Sequence, residues 1–160
     1  MMITSVKNQL KWSSILAGLI ALSAVSVRAQ PANFGTLTLS SENRVGVLTG
    51  STGGSTSLPA IVSNRDRNNN KCLGFADPKP DHVLVLQQPF SRLKLSINNG
   101  GNNTTIVVSG PNNTIRCSSD SDSKDANLED TDWQAGTYRV WVGSIESGDR
   151  RNYRLTVRGS

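Results

Sequence analysis

From Thr36 onward, apolar side chains recur at every second position, and no stretch keeps the three-and-four spacing of a helix. Thr36-Leu37-Thr38-Leu39-Ser40 alternates cleanly, and Arg44-Val45-Gly46-Val47-Leu48 follows it. After a Gly/Ser/Thr stretch come Leu58-Pro59-Ala60-Ile61-Val62 and a polar loop, 63–81, that holds Cys72. His82 to Leu86 is an apolar run, whereas Ser91-Arg92-Leu93-Lys94-Leu95-Ser96-Ile97 alternates. Turns at Asn98–Asn102 and Gly110–Asn113 bracket Thr105-Ile106-Val107-Val108. Ile115-Arg116-Cys117 precedes an acidic loop over 118–132, and two strands, around Tyr138–Val142 and Tyr153–Val157, close the chain. This pattern predicts about eight short strands in an all-β antiparallel sandwich or jelly roll. Tyr138, Val140 and Val142 then share one inward face, and Tyr153, Leu155 and Val157 share another.

The first 29 residues follow a different rule. Lys7 and Lys11 precede an uncharged run from Trp12 to Val27, shorter than the roughly 20 residues a membrane-spanning helix needs. Val27-Arg28-Ala29 fits the small-residue cleavage pattern of a secretory signal peptide. Cleavage after Ala29 leaves residues 30–160 as one domain, with no membrane span, in the periplasm or the medium of a bacterium.

Export alters the meaning of the charge. Of the seventeen Lys and Arg, Lys7, Lys11 and Arg28 leave with the signal, while all twelve acids stay; fourteen basic against twelve acidic residues is +2. That excess is too small to point to a nucleic-acid partner. In an oxidising compartment the two cysteines, Cys72 and Cys117, read as one disulfide, worth about 3–4 kcal/mol on the chain-entropy model.

Thr104–Val108, Gly110-Pro111-Asn112, Ala135-Gly136-Thr137-Tyr138-Arg139-Val140-Trp141-Val142 and Asn152-Tyr153-Arg154-Leu155-Thr156-Val157 together resemble bacterial pre-peptidase C-terminal domains. The match runs from about Asp81 to the end. The chain departs from that family's pattern in its cysteine pair, in Asn113 where the turn carries Gly, and in having no attached peptidase. The resemblance implies a β-sandwich with a substrate-adhesion or stability role outside the cell, and no catalytic activity.

The candidate chemistry is of three kinds. Calcium takes oxygen ligands from closely spaced carboxylates and amides. The acidic loop offers Asp120, Asp122, Asp125, Glu129, Asp130 and Asp132. The alternative is a solvated loop whose acids pair with Arg150, Arg151 or Arg154. A second set, Asp66, Asn68, Asn70 and Asp77, echoes EF-hand spacing, but Lys71 stands where the turn needs Gly. The third candidate is a ligand-binding face: Trp141 beside Arg139, joined by Arg154 if the last two strands pair, as a platform for a sugar ring or a protein anchor. The competing expectation covers Trp141 with the N-terminal strands and lays the arginines over its ring.

Catalysis has less support. The only histidine, His82, follows Asp81 at a strand start and reads as a strand-edge residue, and no Gly-x-Ser-x-Gly elbow accompanies it. One histidine and two paired cysteines do not make a zinc site. The expectation is a non-catalytic binding or accessory domain, with calcium as its one candidate cofactor and an extracellular polymer or protein surface as partner. The alternatives are a carbohydrate-binding module, and a small secreted enzyme or peptidase-associated regulator.

Overall fold

A computed structural model describes residues 31–118 and 124–160. The proposed signal segment and the loop residues Asp120 and Asp122 lie outside them.

Eleven strands follow in chain order: β1 (Gly35–Leu39), β2 (Val45–Ser51), β3 (Thr56–Ser57), β4 (Phe75–Ala76), β5 (His82–Leu86), β6 (Phe90–Asn98), β7 (Thr104–Ser109), β8 (Ile115–Cys117), β9 (Asn127–Trp133), β10 (Gly136–Ser144) and β11 (Asn152–Gly159). One sheet has seven strands, ordered β1-β5-β10-β4-β3, with β7 joining β10 to β8; the other is β2-β11-β6-β9. The sandwich is antiparallel apart from β1, which runs parallel to β5, Gly35 opposite His82.

The sequence pattern anticipates how each sheet is covered. On β6 and β11 the apolar positions alternate with exposed polar ones, so each strand buries one face. Every residue of β7 is buried, and Val140 to Ser144 of β10 are buried on both sides. Such continuous burial belongs to a strand covered on two faces. Between the sheets, Leu84, Ile106, Tyr138, Val140 and Val142 meet Leu93, Leu95, Leu128, Leu155 and Val157 in one core. A second cluster, Leu58, Cys72, Ala76, Val107, Cys117 and Trp141, lies on the outward side of the larger sheet.

Two segments differ from the sequence reading. Leu58–Ile61 is a single helical turn with proline in its first positions, where that residue's fixed φ and missing N–H cost nothing. The acidic stretch is also only partly a loop. Asn127–Trp133 forms β9 along β6, with Leu128 opposite Leu95 and Trp133 opposite Phe90. Its inward anchors Leu128 and Trp133 are few and widely spaced, so the intervening acids obscured the strand.

The last two strands do not pair. β10 belongs to the larger sheet and β11 to the smaller, so their inward faces meet across the core instead of lying side by side.

Candidate functional site

Loop 63–71 is organised by one carboxylate. Asp66 Oδ1 accepts the backbone N–H groups of Asn68 and Asn70, both at 2.8 Å, while Oδ2 accepts Asn70 Nδ2 at 3.1 Å and the Cys117 N–H at 3.1 Å. Asn69 takes a positive φ of 66°, which asparagine tolerates better than most residues. An isolated bridge between Arg65 and Lys71 closes the loop, and the Arg67 N–H donates to the Ile115 carbonyl at 3.1 Å. The Cys72–Cys117 disulfide, with Cα atoms 5.2 Å apart, then fastens the segment to β8. Asp66 therefore serves as a turn-former. The EF-hand-like spacing arises because an Asx turn also wants Asp and Asn two residues apart, and Asp77 lies beyond β4, close enough to Asp81 to act on its charge.

Beside this loop sits a residue the sequence reading overlooked. Arg116 is 2% exposed, its guanidinium 4.0 Å from the centre of the Trp133 ring. Its Nε donates to Asp130 Oδ2 at 2.8 Å, and its Nη2 donates to the carbonyls of Thr131 and Asp132 at 3.2 and 3.0 Å. Burial lowers its pKa and the Asp130 charge opposes that, yet a guanidinium stays charged at any ordinary pH. The buried ion pair couples β8 of one sheet to β9 of the other. The signal was an arginine between Ile115 and Cys117, followed within the chain by a cluster of acids.

Of the described acids in the 118–132 stretch, Glu129, Asp130 and Asp132 are held by other cations than the expected ones. Asp130 also faces Arg67 at 3.6 Å, Asp132 faces Arg67 at 3.4 Å, and Glu129 bonds Arg92 at 2.8 Å. Asp125 Oδ1 accepts the N–H groups of Asn99 and Gly101. Arg67, Arg92 and Arg116 thus replace the expected Arg150, Arg151 and Arg154, because β9 carries the acids alongside β6 and β8. Among the described residues no group of three or more His, Cys, Asp or Glu is arranged to hold a metal ion.

Trp141 is the clearest correction. It is 3% exposed, packed with Leu58, Cys72 and Val107, and its Nε1 donates to the Pro78 carbonyl at 3.3 Å. It cannot serve as an open stacking platform. The cover is the segment 58–78, not the N-terminal strands; Arg139 does lie over the ring, at 5.7 Å. Arg154 is on the other sheet and faces outward there.

What remains open on this side is a groove. One cavity of about 540 Å³ is lined by Ile61, Val62, Pro78, Ser109, Arg139 and the edge of Trp141, together with Ser63, Asn113 and Ile115. A second, of about 480 Å³, shares those last three residues and continues to Arg65, Asp66, Arg67, Thr114, Arg116 and Asp132. The groove therefore has an apolar wall of Ile61, Val62, Pro78 and Trp141 facing Ser109, Asn113 and Arg139 at one end, and three arginines with two aspartates at the other. Its walls are the helical turn and disulfide-fastened loop on one side, and the 110–114 turn on the other.

His82 opens β5, as expected, but is buried completely there, and shares a 2.9 Å hydrogen bond between Nε2 and the Tyr153 hydroxyl. Gly46 and Gly50 on the inward side of β2 leave the space that Leu37 and Tyr153 fill. Burial pulls the imidazole down to about 4, against a backbone hydrogen bond with Gly35. Burial likewise pushes Asp81 up to about 7, opposed by the Val142 N–H at 2.7 Å and by Asn33. The same burial, with the Asp81 charge, keeps the Tyr153 phenol protonated well above its usual range. His82 is committed to joining the sheets through Tyr153, and Asp81 to the backbone of β10 at Val142, so neither is placed to activate a nucleophile.

No family model matches the chain, and no curated protein does either. Solved structures do align with it, among them the following two. PliG of Aeromonas hydrophila, a periplasmic inhibitor of g-type lysozyme, is 15% identical with a TM-score of 0.47, covering 79% of this chain and 96% of its own. The pre-peptidase C-terminal domain of a Bacillus anthracis collagenase is 16% identical with a TM-score of 0.47, covering 82% and 98%. The chain is a distant structural match to that β-sandwich fold. Neither alignment bears on the groove, whose residues have to be read from their own chemistry.

Proposed function

We propose that the chain is an exported, non-catalytic binding domain that holds its partner, a protein surface, in the groove on the outer side of the larger sheet. One observation carries this reading. Two adjoining cavities share Ser63, Asn113 and Ile115, so a slot whose apolar wall is Ile61, Val62 and Trp141 continues into a cleft lined by Arg65 and Arg67. A protruding segment with an aliphatic side chain near a carboxylate fits both ends. The apolar group is removed from water, and the arginines offer forked donors to the acid. The walls are tied by a disulfide and by Asp66, so little ordering entropy is lost on binding. Export is supported by the disulfide, which persists in an oxidising compartment, and by the signal-like residues 1–29.

The test uses short extended peptides that pair Leu or Ile with Asp or Glu, added to isotopically labelled mature protein. Amide shifts should concentrate at Ser63, Asn113 and Ile115 and at the Trp141 indole. Arg65→Glu should weaken the effect about tenfold, since Arg65 is exposed and its side chain holds the Asn69 carbonyl alone among the described residues. Shifts elsewhere, or an unchanged Arg65→Glu variant, would end this reading. Mass measurement of the exported chain should place its first residue at Gln30; a product retaining residues 1–29 would remove the export proposal.

A further inference from the structure

The outer face of the smaller sheet carries chemistry that the groove does not use. Register places its outward side chains in rows across the strands. Arg158 stands between Val45 and Lys94, with Glu129 beyond Lys94; Thr156 stands between Val47 and Ser96, with Asn127 beyond; Arg154 stands between Thr49 and Asn98. Arg92 lies opposite Thr131. These positions are exposed or half-buried, while the alternating Leu93, Leu95, Ile97, Leu155 and Val157 are buried in the core.

The charge on this face is lopsided. Its strands present outward four cations, Arg92, Lys94, Arg154 and Arg158, and one acid, Glu129. Fourteen basic residues in 30–160 less these four leaves ten, against eleven of the twelve acids. The rest of the exported chain is therefore nearly neutral, and its positive excess sits on one flat surface. Glu129 is taken by Arg92 at 2.8 Å and Lys94 at 4.0 Å, whereas Arg154 and Arg158 form no ion pair among the described residues. Neighbouring strands lie about 4.8 Å apart and alternate residues about 6.8 Å apart, so the cations form a shallow, rigid array.

The side chains between the cations narrow the partner. They are Thr49, Thr156, Ser96, Asn98, Asn127 and Thr131, all hydroxyls and amides. No outward residue of these strands is aromatic, so a nucleic acid finds no stacking surface. Apolar exposure is confined to Val45 and Val47 on the edge strand, too little to enter a lipid interface or to form the apolar centre of a protein contact. Cations interleaved with hydroxyls and amides match a polymer that itself interleaves anions with hydroxyls.

We propose that this face binds a linear acidic polysaccharide, carboxylated or sulfated, laid across the strands of the smaller sheet. Arg154 and Arg158 take its carboxylate or sulfate groups through paired N–H donors, and Thr156, Ser96 and Asn98 hydrogen-bond its hydroxyls. The proposal is independent of the groove and stands if the groove binds nothing.

The test applies the exported protein to polygalacturonate, heparin, neutral dextran, polyglutamate, a single-stranded oligonucleotide and vesicles containing phosphatidylglycerol. Binding to polygalacturonate or heparin should weaken steadily with salt, and should fall about tenfold or more in the doubly reversed Arg154→Glu/Arg158→Glu variant at unchanged melting temperature. Arg65→Glu should leave it intact, which separates this face from the groove. Preference for polygalacturonate identifies a carboxylated source, and preference for heparin a sulfated one. Binding neither polysaccharide, binding polyglutamate, the oligonucleotide or the vesicles as tightly, or full retention in the double variant would each overturn the proposal.

Discussion

The two outer faces of the sandwich have opposite solutions. On the larger sheet, Val107, Trp141 and Cys117 point outward into a second apolar cluster, roofed by residues 58–78. On the smaller sheet, the outward positions of β6 and β11 are arginine, lysine, threonine, serine and asparagine, exposed or half-buried among the described residues. The apolar residues of the roof lie in 58–62 and 72–76, and the loop 63–71 between them is polar, so burial alone holds that loop weakly. A disulfide, the Asp66 turn and the pairs of Arg67 with Asp130 and Asp132 supply what packing does not. A covered face therefore needs fastenings and gains a shaped groove; a bare one needs none and gains an open, charged plane.

The largest effect should come from removing the fastening that joins the sheets. Arg116→Ala leaves Asp130 partly buried without its close partner, and loses the packing on Trp133. We expect a loss of about 3–5 kcal/mol in chemical denaturation. A loss below about 1 kcal/mol would show that Asp130 relaxes into water and that the pair does not couple the sheets. The double variant Cys72→Ser/Cys117→Ser follows, at about 3–4 kcal/mol on the chain-entropy model. The comparison is sharpened by where that loss appears. Hydrogen exchange should rise in residues 58–78 while β6 and β11 stay protected, whereas uniform loss across both sheets would mean the roof is not a separate unit.

Much of this asymmetry was legible in the pattern of apolar residues. Ser91–Ile97 alternates and became the half-exposed β6, whereas the unbroken His82–Leu86 and Thr105–Val108 became strands buried on both faces. The cysteine pair and the inward faces of the last two strands were also readable, because each depends on local spacing or on the compartment. Partnership between strands was not. Alternation says which side of β10 and β11 is apolar, but the same pattern serves two strands side by side or two strands facing across a core. The expected Trp141–Arg154 platform failed on that ambiguity. The groove was hidden for a similar reason, since Arg65, Asn113 and Ile115 meet only after the roof folds over β8.

Asp81 and His82 sit side by side where the N-terminal strand meets the core, and burial shifts their pKa values in opposite directions. The folded pKa of Asp81, about 7, exceeds its usual 3.8, so the folded state binds the extra proton. Stability from this residue is full below about pH 4 and falls as pH rises toward 7, by about 4 kcal/mol in all. His82 works the other way. Its folded pKa of about 4 lies below the usual 6.5, so stability rises by about 3 kcal/mol between those values. The two nearly cancel from pH 4 to 6.5, leaving a flat profile with a decline near neutrality. In Asp81→Asn only the histidine contribution remains, and stability should climb by about 3 kcal/mol over that range while exceeding the parent above pH 7. A flat profile in the variant would remove the histidine contribution from the account.

The smallest effect is the one that best divides the two faces. Arg154 and Arg158 lie on the bare plane and form no ion pair among the described residues, and Arg158 stands beside Lys94, so replacing each by alanine should change stability by no more than about 0.5 kcal/mol. Reduced repulsion with Lys94 could even make Arg158→Ala slightly stabilising, and the sign should fade with added salt. The matched change on the roofed side, Trp141→Ala, should cost about 3–5 kcal/mol because it opens a cavity beneath residues 58–78. Thermal denaturation of the three variants at low and high salt reads both quantities together. If Arg158→Ala were as damaging as Trp141→Ala, something would have to rest on the smaller sheet after all. The plane would then be a structural interface, and its four cations would be explained by what they hold in place instead of by a ligand they await.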